Sequence, residues 1–179
     1  MLQVFLLDYF LKIVYNIFIK MFGSAPEKSD AIRMSVWNTL YSMKIIKEHN
    51  IKVMDRRSTI SIKDIDVKSF IIPHDAASPV GYTINLGDKR ASIATDFGTF
   101  TKEIEDNIKD SEIILIESNY NPQMLDMGPY PYSLKQRIKE AYGHLSNEDC
   151  GDAIVKILKN GLGKKIILGH LSNTNNTPD

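Results

Sequence analysis

From Thr59 to the C-terminus, apolar residues recur now at every second position, now at every third or fourth, and the apolar runs finish on short polar clusters. The clusters are His74-Asp75-Ala76, Thr95-Asp96-Phe97-Gly98, Glu117-Ser118-Asn119, Gly143-His144-Leu145-Ser146-Asn147 and Gly169-His170-Leu171-Ser172-Asn173. A chain that alternates strand-like with helix-like spacing is committed to a sheet with helices packed on it, an α/β fold. In an open sheet of this kind, the residues that do chemistry sit just beyond the strand ends. Three of the chain's 4 histidines and two aspartates, Asp75 and Asp96, fall in these clusters. Imidazole and carboxylate together are the ligand chemistry of a Zn²⁺ or Mn²⁺ centre that hydrolyses esters.

The spacing also predicts individual elements. Gly23 to Asp30 is a turn-rich break. Ile32, Val36, Leu40, Met43 and Ile46 predict a helix over 31–49, with Trp37 and Met43 in the core and His49 solvated at its end. Ile60, Ile62, Ile65, Val67 and Phe70 to Ile72 predict strands that run out at Pro73-His74. Val80 to Leu86, the turn Gly87-Asp88 and Ala91 to Ala94 predict a hairpin that delivers Asp96 to its far end. Helices are expected over 102–108, 133–141 and 147–159, the last opening on Ser146-Asn147-Glu148-Asp149 with the spacing of a capping box. The runs Ile113 to Ile116 and Lys164 to Leu168 read as strands ending at Glu117 and at Gly169-His170.

With 179 residues, 43% of them hydrophobic and 25% charged, one domain with a real core is expected. The 22 basic and 22 acidic residues cancel, so any attraction for a polyanion has to be local. A single cysteine, Cys150, excludes an intrachain disulfide, makes a reducing cytoplasmic setting the simpler one, and reads as a small buried residue on a helix. Residues 1–22 are nearly all apolar, yet Asp8, Lys12, Asn16 and Lys20 recur every four positions as one polar stripe. That stripe predicts an amphipathic helix that packs, joins copies of the chain or lies on a membrane surface, not a membrane span or a signal peptide.

Three phrases resemble the C-terminal part of the metallo-β-lactamase fold, nearest its YycJ/WalJ-like branch. They are Phe70-Ile71-Ile72-Pro73-His74-Asp75-Ala76 through Pro79-Val80-Gly81-Tyr82, then Ile93-Ala94-Thr95-Asp96-Phe97-Gly98, then Ile116-Glu117-Ser118-Asn119-Tyr120-Asn121 with Met124-Leu125 and Gly128-Pro129-Tyr130-Pro131. The clusters at His144 and His170, with Asn175-Asn176-Thr177-Pro178, complete a likeness that runs from about Ser35 to the end. The resemblance implies an αββα sandwich, two divalent ions (Zn or Mn) and hydrolysis of phosphodiesters, in this branch as a 5′-to-3′ DNA exonuclease. By motif, His74 resembles a ligand of one metal, Asp96 the carboxylate that bridges both, and His170 a ligand of the other. Glu117 and His144 resemble the acid pair of the related ribonuclease Z enzymes, in which a histidine contacts the scissile phosphate and a glutamate orients it. A carboxylate partner favours the imidazolium form, which binds phosphate and donates a proton to the leaving oxygen. The helix from Asn147 is expected to add amide dipoles to that anion site. Asp75 is expected to support the site without ligating, and Ser146, Ser172 and Asn175 are the expected substrate contacts.

Members of this superfamily also carry an N-terminal His-x-His-x-Asp-His cluster. Before His74 this sequence has only His49, and no two of its histidines are separated by a single residue. The chain is therefore expected to represent a member whose first half-sheet and metal-binding loop are lost or replaced. Residues 1–30 would be an apolar helix and linker foreign to the family, and residues 31–179 a partial domain of that fold, incomplete in its N-terminal half. With His74, Asp96 and His170 divided between two metals, little or no activity is expected of this chain alone. Two other readings use the same residues. One is a metallo-hydrolase of thioesters, lactams or other small molecules, for which the Glu117–His144 pair is less suited than for phosphate. The other is a degenerate domain that survives as an interaction or membrane-associated module through its N-terminal helix.

Overall fold

A computed structural model of the chain describes residues 54–159 and 163–177. The apolar helix expected over 1–22, the helix over 31–49 with Trp37, Met43 and His49, and the domain boundary at residue 30 lie outside the described residues. From Arg56 onward the chain forms one compact unit.

Among the described residues six strands make one mixed sheet: β1 (Thr59–Ile62), β2 (Ile65–Ile71), β3 (Val80–Leu86), β4 (Lys89–Ala94), β5 (Ile113–Glu117) and β6 (Lys165–Gly169), lying side by side in chain order. β1 to β4 pair antiparallel, whereas β4, β5 and β6 are parallel. The expected hairpin is present. Leu86 faces Lys89 across a two-residue turn at Gly87-Asp88, where Gly87 takes φ +58°. Such a turn matches the twist of the strands that flank it, and glycine adopts that φ without a Cβ penalty. The second sheet of an αββα sandwich is not among the described residues.

The parallel half requires crossovers. α1 (Lys102–Ile108) joins β4 to β5, while α2 (Pro122–Met127), α3 (Tyr132–Lys139) and α4 (Asn147–Leu158) lie between β5 and β6. α1 begins at Thr101, whose hydroxyl accepts from Ile104 N at 3.3 Å. α4 begins at Ser146, whose hydroxyl accepts from Asp149 N at 3.0 Å and donates to the Asp149 carboxylate at 2.7 Å. A cap of this kind stabilises a helix by about 1 kcal/mol. Along α4 the apolar residues Cys150, Ala153, Ile154 and Ile157 follow helical spacing, and they meet Ile104 and Ile108 of α1 over one sheet face. That face supplies Phe70, Ile72, Ala94, Ile114 and Ile116. Gly81 is needed beneath Phe70, because a Cβ there would sit 2.4 Å from the phenyl ring. Cys150 is buried as its position predicts, and burial raises its thiol pKa. On the opposite face Val67, Tyr82 and Ile84 are buried too. No helix among the described residues is long and apolar enough to cross a membrane.

Candidate active site

Strand direction decides which polar clusters can meet. β2 and β4 both run antiparallel to β3, and β4 runs parallel to β5 and β6. The C-terminal ends of β2, β4, β5 and β6 therefore share one rim of the sheet, which collects His74, Asp96, Glu117 and His170. His144 reaches the same rim on the loop between α3 and α4. Its N–H donates to Ile138 O at 2.9 Å, Asn119 N–H to Leu145 O at 2.9 Å, and Asn147 N–H to Tyr120 O at 2.9 Å, which fastens the loop to the end of β5.

One oxygen is the hub of the cluster. Asp96 Oδ1 lies 3.3 Å from His170 Nε2, 3.9 Å from His74 Nε2 and 4.0 Å from His144 Nδ1. The His144 ring centroid is 5.2 Å from that of His74 and 5.1 Å from that of His170. The outer nitrogens of the two expected ligands are fixed by their inner ones. His74 Nδ1 donates to Gly143 O at 3.1 Å, and His170 Nδ1 donates to Glu117 Oε1 at 2.8 Å, so each Nε2 is left as a lone pair, that of His170 beside Asp96 and that of His74 beside both Asp75 and Asp96. Tying Nδ1 to a carbonyl or carboxylate is how proteins set the tautomer of a metal-binding histidine.

Glu117 is fully buried, and both of its oxygens accept hydrogen bonds. Oε1 accepts from both His144 Nδ1 and His170 Nδ1 at 2.8 Å, and Oε2 accepts from Phe97 N–H at 2.7 Å. Burial pushes this carboxyl up, but the hydrogen bonds from His144, His170 and Phe97 outweigh burial and hold it below the usual carboxylate range. The same contact with Glu117 raises the His170 imidazole above its ordinary value against an opposing effect of burial, with Asp96 adding to the rise. Asp96 and His170 are moreover held at φ +63° and +55°. Left-handed backbone costs a residue other than glycine on the order of 1 kcal/mol or more, and such residues persist where a site dictates them.

The donor set fits divalent cations. Ligands on a tetrahedral Zn²⁺ with bonds of about 2.0–2.1 Å lie roughly 3.4 Å apart, close to the 3.3 and 3.9 Å that separate Asp96 Oδ1 from His170 and His74. Among the described residues two groups of possible ligand atoms, each within a span of 4.8 Å, share His144: His74 with Asp96 and His144, and Glu117 with His144 and His170. Glu117 already takes three hydrogen bonds, which leaves His74, Asp96, His170 and the outer nitrogen of His144 as the groups open to a ligand.

A cleft of about 590 Å³ opens over this rim. Ser172 lines it, although its hydroxyl accepts from Thr174 N and Asn175 N at 3.3 and 3.1 Å. Ser146 and Asn175 lie off the cleft wall. The Ser146 hydroxyl is spent on the α4 cap, and with Glu148 and Asp149 in the first turn that helix end already carries its own anions. Asn175 is 1% exposed, beneath the loop at Gly128. Asp75 supports the site as its position suggests: its carboxylate lies 3.5 Å from His74 Nε2 and accepts from Arg137 Nε at 2.5 Å. Asn119, from the cluster Glu117-Ser118-Asn119, and Tyr130, from Gly128-Pro129-Tyr130-Pro131, also line the cleft, as do Arg137 and Leu134, which are not evident in the sequence. Helical spacing was the available signal, since Leu134, Arg137 and Ile138 share one face of α3.

Solved structures share this fold. The metallo-β-lactamase-fold protein YhfI from Bacillus subtilis superimposes with TM-score 0.50 at 14% identity, over 76% of this chain and 50% of that one. Zn²⁺-bound PqqB from Methylobacterium extorquens does so with TM-score 0.56 at 13% identity, over 80% and 52%. Matched against descriptions of known protein families, the chain fits none. Exodeoxyribonuclease WalJ of Streptococcus pneumoniae is 39% identical over 124 residues, 69% of this chain and 46% of the relative. Exodeoxyribonuclease YycJ of Bacillus anthracis is 38% identical over 113 residues, 63% and 42%. Over the matched residues the chain is YycJ/WalJ-like in sequence and has the metallo-β-lactamase fold. It spans a little under half the length of these curated relatives.

Proposed function

We propose that the chain carries the site of a metal-dependent phosphodiester hydrolase acting on DNA as a 5′-to-3′ exonuclease, and that its sheet is one half of an αββα sandwich. The observation that carries this reading is the convergence on Asp96 Oδ1 of three imidazoles, at 3.3, 3.9 and 4.0 Å. The relatives' names supply the substrate class, and the zinc in PqqB accords with the donor set. His74 and Asp96 would hold one divalent ion, Zn or Mn, and Asp96 and His170 a second. Such ions, when bound, activate a water and neutralise developing charge on phosphate.

The chain's own residues do the rest. Gly143 O and Glu117 aim the Nε2 atoms of His74 and His170. His144, with Nδ1 tied to Glu117, presents Nε2 to the substrate, where its protonated form binds a phosphate oxygen and passes a proton to the leaving oxygen. Because His-x-His-x-Asp-His does not occur in this sequence, the three ligands shared between two ions hold them weakly, and turnover is slow.

The test is degradation of single-stranded DNA under single-turnover conditions, with metal content measured in parallel, for the 179-residue chain and its His144→Ala variant. The expected outcome is equal metal content and a rate lowered by about 10²–10⁴-fold, the usual worth of a general acid. A variant that cleaves at the parent rate would refute the role of His144. Two tightly held ions with rapid turnover would refute weak activity.

A further inference from the structure

The site as described handles the phosphate under attack and says nothing of the rest of a nucleic-acid strand. Arg137 is the one lysine or arginine among the residues lining the cleft. It projects from α3, and its Nε is pinned at 2.5 Å to Asp75, whose other oxygen stands 3.5 Å from His74 Nε2. Its two terminal amino groups donate to no group among the described residues, and the side chain remains 63% exposed. The neighbouring cations of α3 are engaged elsewhere: Lys135 donates to Asp126 O at 2.7 Å, and Lys139 pairs with the Asp126 carboxylate. Arg137 is thus the α3 cation oriented by a partner yet still holding free donors at the cleft. A guanidinium fixed through Nε presents its remaining N–H groups as a fork, the geometry that grips phosphate through two oxygens.

Beside it lie Tyr130 and Leu134, which also line the cleft. Both pack against the small core of Tyr120, Leu125 and Ile138, so they form a supported apolar surface and not loose side chains. A flat aromatic and an aliphatic group next to a phosphate-binding cation match the alternation of base and backbone along a single strand.

Resting on the phosphodiesterase reading above, we propose that Arg137, Tyr130 and Leu134 form a second nucleotide subsite, in which Arg137 grips the phosphate next to the scissile one and Tyr130 and Leu134 carry the adjoining base. Asp75 is the positioning residue: it holds the fork and joins it to the rim at His74. Since the fork meets backbone phosphate, the subsite contributes affinity without regard to base.

Binding can be measured without turnover. Fluorescence anisotropy with phosphorothioate oligothymidylate and oligoadenylate, in Mn²⁺, compares the full chain with its Arg137→Ala and Arg137→Lys variants over a range of salt. Arg137→Ala is expected to weaken both oligonucleotides alike, by about tenfold or more, and to make the slope of log K against log salt shallower by about 0.7, the share of one phosphate contact on a single strand. Arg137→Lys is expected to keep the slope, because the charge stays, while losing part of the affinity, because the fork is gone. Parent affinity and slope in Arg137→Ala overturn the subsite and leave the phosphodiesterase reading standing. Should Arg137→Ala fail to fold, Arg137→Lys decides alone, and parent affinity there overturns the fork. Failure of the parent chain to bind either oligonucleotide overturns both readings.

Discussion

Replacing Glu117 by glutamine changes one atom in a place where both carboxylate oxygens accept hydrogen bonds. The carboxylate accepts from Phe97 N–H on one oxygen and from two imidazole N–H groups on the other, all at 2.7–2.8 Å and with no exposure to water. A glutamine offers one acceptor oxygen and an NH₂ group that can only donate. Turned so that its oxygen meets the imidazoles, it sets NH₂ against Phe97 N–H and orphans a buried donor. Turned the other way it satisfies Phe97, but each histidine must then accept at Nδ1 and carry its proton on Nε2. That tautomer removes the His170 lone pair from the rim beside Asp96. A buried donor without a partner costs about 1–3 kcal/mol, and loss of a histidine's orienting partner lowers metal affinity about 10–100-fold. Thermal unfolding of the metal-free variant is expected to fall by roughly 2–4 °C for each kcal/mol, and competition with a chromophoric chelator is expected to show the weaker zinc binding. A variant that matches the parent in both measurements would show that the three hydrogen bonds do not govern the site.

Zinc added to the metal-free chain is expected to raise Tm by mass action, about 2.7 kcal/mol of stabilisation at a hundredfold excess over Kd; Asp96→Asn, lacking the charge on the hub oxygen, is expected to lose most of that rise, and an equal rise in both proteins would count against Asp96 as a ligand. At Gly143 a Cβ would sit 2.3 Å from both Arg137 O and Ile138 O, so Gly143→Ala is expected to cost about 1–3 kcal/mol in denaturant unfolding. It should also blunt the zinc response, because Gly143 O holds His74. Glu103 has its pKa lowered by its hydrogen bonds from Arg57, against a rise from burial, with Ile71 N–H adding to the lowering. Its folded pKa lies below its unfolded one, so its contribution is complete above a pH of about 4.5 and disappears as pH falls through the folded value. Stability curves of the parent and Glu103→Gln should therefore differ near neutrality and converge in acid; curves that stay parallel would contradict the linkage.

His74, Asp96 and His170 stand out in the sequence because each follows an apolar run that ends, and a strand that ends places its next side chains over the sheet rim. That reasoning is local, and it cannot say which strands run the same way. The meeting of Glu117 with His170 joins residues 53 apart and depends on β5 lying parallel beside β6. The fact that one Glu117 oxygen serves two histidines is legible only in three dimensions. Ser146 shows two local patterns in competition for one hydroxyl: it belongs to a polar cluster and also heads a capping box. The cap holds it, because Asp149 N–H would otherwise have no partner at the start of α4. α2 went unread although Asn121 and Pro122 form a cap followed by proline at the first helical position, because six residues are too few to establish a period. Arg137 looks in sequence like any solvated helical cation, and only the approach of Asp75, from 62 residues away, marks it out. The same dependence on range bears on what the rim is for. Two residues held at positive φ beside that carboxylate, Asp96 and His170, oppose folding in a metal-free chain. These costs fall together on one rim, around the one oxygen that all three imidazoles face, and a bound cation is the ligand that would offset them.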